Sequence, residues 1–176
     1  TIIKIDIYDS PDTNLLNECF VYCSEFENTI SRTIETSEIS LINNANGNPV
    51  TVSDMTIELL EKGIYYGDLT DGKFDITIAT LSELWDIKNN PGIVPSESEI
   101  QEALSHVNYK NILIDGNNVT LLDPDSKIDL GGIAKGYMAD RLKEYLVSKG
   151  VKSALINLGG NIITIGTKPN GAPFKL

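Results

Sequence analysis

The apolar residues of this chain switch repeatedly between a period of two and a period near 3.6. The switches never settle into a regular strand–helix–strand alternation, and this limits the fold more than any other feature. Ile3, Ile5 and Ile7 alternate with Lys4 and Asp6, as in a half-buried strand, and Asp9-Ser10-Pro11-Asp12 then reads as a turn. From Asn14 to Ile30, Leu15, Leu16, Cys19, Phe20, Cys23, Phe26 and Ile30 recur at helical spacing. Ser31 to Pro49, rich in Ser, Thr and Asn, reads as a loop. Ser53 then caps a helix with Ile57, Leu60 and Ile64 as its stripe, ended by Asp71-Gly72. Asp75 is placed to cap a short helix through Leu81 and Trp85. Ser96 and Glu99 have capping-box spacing before a helix at Ile100 to Ser105. Ile112–Asp115 and Val119–Leu122 read as a hairpin, and Ile133 to Lys149 as a helix stopped by Gly150. Strands at Ser153–Asn157 and Ile162–Ile165 flank Gly159-Gly160, and Lys168-Pro169-Asn170-Gly171 is a turn. The fold class is α+β, with an antiparallel or mixed sheet and helices packed against it, in a single domain over residues 1–176.

Composition narrows the function. A chain of 176 residues with 41% hydrophobic and 22% charged residues buries a core without metal or disulfide staples. Its net charge is −11 and its pI about 4.4, so it lacks the basic footprint that nucleic acid needs. The longest unbroken apolar run, Cys19 to Cys23, falls far short of the ~20 residues of a membrane span. Cys19 and Cys23, four apart on one helix, read as two partly buried free thiols. His106 is the only histidine. No triad partner and no zinc spacing accompanies it, which points to a structural or exposed ring.

Three segments carry candidate chemistry. In Ile128-Asp129-Leu130-Gly131-Gly132-Ile133-Ala134-Lys135-Gly136-Tyr137, a strand end meets paired glycines and then a helix. Free N–H groups at a helix start attract anions, and glycines let a ligand approach the backbone. Lys135, one turn in, is placed to meet a phosphate, and Asp129 to accept a hydrogen bond from a ring or sugar. The segment matches neither the P-loop nor the dinucleotide glycine fingerprint, and a tight turn with a surface lysine is the competing reading. Thr70-Asp71-Gly72-Lys73-Phe74-Asp75 is either a turn with a core Phe and a capping Asp, or a ligand wall whose turn Asp75 fixes. Asn157-Leu158-Gly159-Gly160-Asn161 is either a β-bulge or a place where a ligand passes close to the backbone.

Together these segments resemble the FAD:protein FMN transferases of the ApbE type, formerly called thiamine biosynthesis lipoproteins. The resemblance runs in order through Ser37-Glu38-Ile39-Ser40 with Asn43, Thr70 to Asp75 with Leu84-Trp85, Ile128 to Tyr137 with Asp140, Asn157 to Asn161, and Lys168 to Pro173. It implies an ApbE-like fold truncated at its C-terminus. It also implies a Mg²⁺-dependent enzyme that moves FMN from FAD onto a Ser or Thr hydroxyl of an acceptor flavoprotein subunit, releasing AMP. The alternative is a flavin- or nucleotide-binding module, or an FAD pyrophosphatase, without transferase activity. By the same resemblance, Lys73, Phe74, Asp75, Asp129 and Lys135 contact FAD, and the carbonyl of Gly132 helps ligate the metal. The side-chain metal ligands are expected downstream of Leu176, so this chain on its own is expected to be inactive. Thr33 stands where many relatives carry an aromatic that stacks on the ring system. An extracytoplasmic bacterial location is implied, with a membrane link only through a lipid anchor upstream of Thr1. No residue is assigned as catalytic.

Overall fold

The computed structural model describes residues 2–10 and 12–175. Thr1, Pro11 and Leu176, which belong to the expected first strand, the first turn and the chain end, lie outside the described residues. In chain order the elements are β1 (Ile3–Ile7), α1 (Thr13–Ile30), α2 (Glu38–Asn43), β2 (Val50–Thr51), α3 (Asp54–Leu69), α4 (Ala79–Trp85), α5 (Glu97–Ser105), a 3₁₀ turn (Tyr109–Asn111), β3 (Ile112–Asp115), β4 (Asn118–Leu121), α6 (Gly131–Ser148), β5 (Ala154–Leu158) and β6 (Asn161–Ile165). The architecture is α+β, as the mixed periodicity predicts, and both sheets are antiparallel. The single domain read from the sequence divides into two compact units, one formed by the residues up to Glu27 and from Ile133 onward, the other by Asn28–Gly132.

In the first unit β5 is the central strand, pairing antiparallel with β1 (Ile5 opposite Ile156) and with β6 (Ile156 opposite Ile163). Its alternate residues Ala154, Ile156 and Leu158 are buried, the period-two pattern of a strand with one face in the core. α1 buries Leu15, Cys19, Cys23 and Phe26, and α6 buries Tyr137, Met138, Leu142 and Leu146. The rings of Phe26 and Tyr137 stack with centroids 5.9 Å apart. Both cysteines are free and buried; burial, with Cys23 and Glu18 adding, pushes the Cys19 thiol up to about 11. Gly159 and Gly160 are not a bulge: Leu158 pairs with Asn161, and the glycines, both at positive φ, form the two-residue turn of the β5–β6 hairpin.

In the second unit β4 lies between β2 and β3 and buries Val119 and Leu121. The Ser53 cap of α3 and the Ser96/Glu99 capping box of α5 form as the sequence predicts. The stretch from Ser31 to Pro49, expected as a loop, contains α2. Ser37 accepts from the Ser40 N–H at 3.0 Å, and Ile39 and Ile42, three apart, are buried beneath that single turn. Asp75 does not cap α4, whose start has no side-chain cap.

The buried face of α3 also differs from the expected stripe: it is Thr56, Leu59, Leu60, Gly63 and Gly67. The two glycines are there because large side chains lie directly on the helix backbone. A side-chain carbon at Gly63 would stand 2.5 Å from Ile76 Cδ1, and one at Gly67 2.8 Å from Tyr109 Cγ and Cδ1. The Tyr109 ring is pinned at both ends, since its hydroxyl donates to Asp68 at 2.8 Å and its backbone N–H to Asp75 at 2.9 Å. It cannot swing away, so Gly67→Ala is expected to destabilise the protein by about 1–3 kcal/mol through overpacking. Urea unfolding checks this, and an unchanged midpoint would show that the ring yields.

Candidate functional site

The Thr70–Asp75 loop follows α3. Its turn is made by Asp71 and Gly72, both at positive φ, and it is closed by the Thr70 hydroxyl. That hydroxyl donates to the Tyr66 carbonyl at 2.7 Å and accepts the Phe74 N–H at 2.9 Å. Lys73 is exposed at the turn, and Phe74, half-buried, meets Tyr66 edge-to-face. Asp75 points into the framework: Oδ1 accepts the Thr77 N–H at 2.7 Å and its hydroxyl at 2.6 Å, while Oδ2 accepts the Tyr109 N–H at 2.9 Å. The Thr77 hydroxyl in turn accepts the Asn108 N–H at 2.8 Å. One carboxylate thus ties the end of the loop to the 3₁₀ turn.

The segment before Gly131 is extended but forms no ladder strand. It is held instead by a side chain. The Asn43 amide donates to the Ile128 carbonyl at 2.9 Å and accepts the Ile128 N–H at 2.7 Å, standing in for a missing neighbouring strand. A parallel bridge between Ile78 and Lys127 and the bonds Ala79 N–H to Lys127 O (3.1 Å) and Asp129 N–H to Ile76 O (2.8 Å) complete the attachment. These bonds bring the Phe74 loop and the Asp129 turn side by side. The glycine pair is the first turn of α6 rather than a linker before it. At Gly132 a side-chain carbon would come within 2.9 Å of Phe74 Cε2, so the ring lies directly against the helix start.

Asp129 Oδ1 accepts the Gly131 N–H at 2.7 Å, and Oδ2 accepts from Arg32 Nε at 2.8 Å. Arg32 extends to Glu83 at 3.4 Å, and Glu83 to Lys127 at 2.5 Å. Arg32 is not among the residues that the sequence predicts for this site. The signal was there: only two of the 14 cationic residues are arginines, and a fork-shaped donor marks a place where direction matters. The structure therefore gathers Lys73, Phe74, Asp129 and Gly132 around one loop–turn pair, with Asp75 behind it as support. Lys135 is an exposed residue one turn into α6, in the part of the chain assigned to the first unit.

Two other polar clusters lie in the second unit. A cavity of about 490 Å³ is lined by Asp68, Asp71 and Asp75 with Lys110, a charge balance that repels phosphate. Among the described residues, the His, Cys, Asp and Glu side chains close enough to share an ion are His106, Asp123 and Asp125. Their bonds are internal: His106 Nδ1 lies 2.8 Å from Asp123 Oδ2, and Asp123 Oδ1 accepts the Asp125 N–H at 3.0 Å. Asp129, the carboxylate three residues before Gly132, is not in that group. The residues present therefore do not make a magnesium site at Gly132 by themselves.

The hydrogen bond to Asp123, opposed by partial burial, holds the His106 ring above its ordinary value. Burial pushes Asp123 up, but the bonds from His106 and from nearby backbone outweigh it and hold it below the usual range. The stability from His106 is fully present below its unfolded value near 6.5 and fades as pH rises through its higher folded value. That from Asp123 is present above its unfolded value near 3.8 and fades as pH falls through its lower folded value. The melting-temperature gap between the protein and Asp123→Asn is expected to be larger at about pH 5 than at about pH 8. Melts at the two values check it; equal gaps would contradict it.

The ApbE family model matches residues 1–176. This chain belongs to the ApbE family. It is 34% identical over 167 residues to an FAD:protein FMN transferase of Klebsiella pneumoniae (strain 342), a match covering 93% of this chain and 52% of that protein. Among solved structures, the flavin transferase ApbE from Vibrio cholerae superposes with a TM-score of 0.92 at 27% identity, over 99% of this chain and 59% of that one. The ApbE protein from Thermotoga maritima superposes with a TM-score of 0.84 at 34% identity, over 95% and 55%. The chain spans about half the length of the curated ApbE relatives it matches. Among the described residues, no helix of this ApbE chain is long and apolar enough to cross a membrane.

Proposed function

We propose that the whole protein is a flavin transferase that binds FAD and moves its FMN half onto a Ser or Thr hydroxyl of an acceptor protein, with release of AMP. The observation that supports it most is the placement of the Phe74 loop against the Asp129–Gly132 helix start within an ApbE frame. In this reading Phe74 and the loop backbone around Lys73 form a wall for the nucleotide, which Asp75 braces from behind. Asp129 accepts a donor from the ring or sugar, while Lys135 and the N–H groups in the first turn of α6 beyond Gly131 face phosphate oxygens. The acceptor oxygen forms a bond to the FMN phosphorus, the P–O bond to AMP breaks, and the hydroxyl proton leaves to solvent or a base. Mg²⁺, when bound with further ligands, supplies charge neutralisation at the pyrophosphate. The residues of this chain would orient the dinucleotide, and the Gly132 carbonyl would be offered to the ion. The location we propose is extracytoplasmic, with a lipid anchor as the membrane link.

A second reading, a nucleotide holder without transfer, is favoured for this chain alone by the absence of a side-chain ligand set at Gly132 among the described residues. Both readings are tested by incubating the whole protein, and separately this chain, with FAD, Mg²⁺ and a Ser/Thr acceptor peptide. Mass spectrometry should find FMN bonded to the peptide, with one AMP per transfer, for the whole protein only. Free FMN plus AMP with an unmodified peptide would make the whole protein a pyrophosphatase instead.

A further inference from the structure

Asp129 ends a chain of ionic contacts within the second unit whose signs alternate: Asp129, Arg32, Glu83, Lys127. We propose that Arg32 is a positioning residue of the nucleotide site, holding the Asp129 carboxylate in the one orientation that also receives the Gly131 N–H. The proposal rests on the reading of Asp129 as a nucleotide contact and adds the residue that sets its geometry. A partly exposed aspartate normally samples several rotamers. Here both oxygens are bound, Oδ1 at 2.7 Å and Oδ2 at 2.8 Å, so the carboxylate plane is fixed. Each oxygen keeps a second lone pair, available to a donor on a ligand. Arg32 also lowers the repulsion that a bare carboxylate would present to an arriving pyrophosphate.

The position of Arg32 is itself built. The Ser31 carbonyl, one residue before it, accepts the hydroxyls of Ser37 and Ser40, both buried. This gives the serines of the Ser37-Glu38-Ile39-Ser40 motif a physical task. The motif's partner Asn43 clamps Ile128, one residue before Asp129. Helix α2 thus braces both ends of the Arg32–Asp129 pair, residues 97 apart in sequence. Arginine suits the role because its Nε edge meets Asp129 while Nη1 reaches Glu83. A lysine ammonium carries the charge without the fixed two-edge geometry.

The test is a double-mutant cycle read by calorimetric FAD titration of the whole protein in Mg²⁺. Arg32→Ala is expected to weaken FAD binding by about tenfold, and Arg32→Lys to recover only a small part of that. In an Asp129→Ala background, Arg32→Ala should change affinity by less than about twofold, because the group it positions is gone. Glu83→Gln, which loosens only the outer link, should weaken binding by about two- to threefold and guards against an unfolded Arg32→Ala protein. Losses that multiply in the double variant would make Arg32 an independent nucleotide contact and overturn the positioning role. Unchanged affinity in both Arg32→Ala and Glu83→Gln, with Asp129→Ala weakened, would overturn the inference and leave the site reading intact. Unchanged affinity in Asp129→Ala would overturn both.

Discussion

Asp129→Ala and Lys135→Ala are each expected to weaken FAD binding by roughly ten- to a hundredfold, the effect of losing one charge-assisted hydrogen bond. The two variants should differ in the nucleotide-free state. Asp129 also receives the Gly131 N–H at the start of α6 and the Arg32 guanidinium, so its removal should lower the melting temperature by a few degrees. Lys135 is an exposed lysine on α6, and its removal should lower the melting temperature by less than the removal of Asp129. Calorimetric titration and thermal melts of the same proteins check both halves. Unchanged FAD affinity with lost stability in Asp129→Ala would reduce this residue to a helix-start brace.

Asp75→Ala is expected to act in the opposite way, on the framework first. Its carboxylate is the partner of two backbone N–H groups, Thr77 and Tyr109, and of the Thr77 hydroxyl. Losing it strands those donors in a partly buried loop. The cost is about 3 kcal/mol, or roughly 6–12 °C of melting temperature for a protein of this size. Asp75→Asn keeps two acceptor lone pairs on one oxygen and should lose about half as much. FAD affinity should fall in both variants as a consequence of the loosened Phe74 loop. A full loss of FAD binding with an unchanged melting temperature would show instead that Asp75 touches the nucleotide directly.

The parts of this fold legible in the sequence are those fixed by local chemistry. The Ser53 cap, the Ser96/Glu99 box and the β3–β4 hairpin, whose second strand starts one residue earlier than expected, at Asn118, each need only a few adjacent residues to specify them. Helix α2 was hidden because its six residues sit in a Ser- and Asn-rich stretch, and a single turn carries no repeating stripe. The face of α3 was misplaced for a different reason. Gly63 and Gly67 count as nothing on a hydropathy pattern, yet they are buried because Ile76 and Tyr109, distant in sequence, require bare backbone there. The same distance explains the site. Asp129 and Lys135 are proposed from helix-start chemistry and Phe74 from its loop, while the roles of Lys73 and Gly132 come from the family resemblance. The Asn43 clamp, the Asp75 brace and the Arg32 pairing join segments far apart in the chain, and no local pattern announces them.

Nucleotide preference decides most directly whether the whole protein is a flavin transferase. Titration of the whole protein with FAD, ATP and NAD in Mg²⁺, followed by calorimetry, should give the tightest binding for FAD. ATP and NAD lack the isoalloxazine ring that the Phe74 loop is proposed to face. Tighter binding of ATP or NAD than of FAD would contradict the flavin-transferase reading.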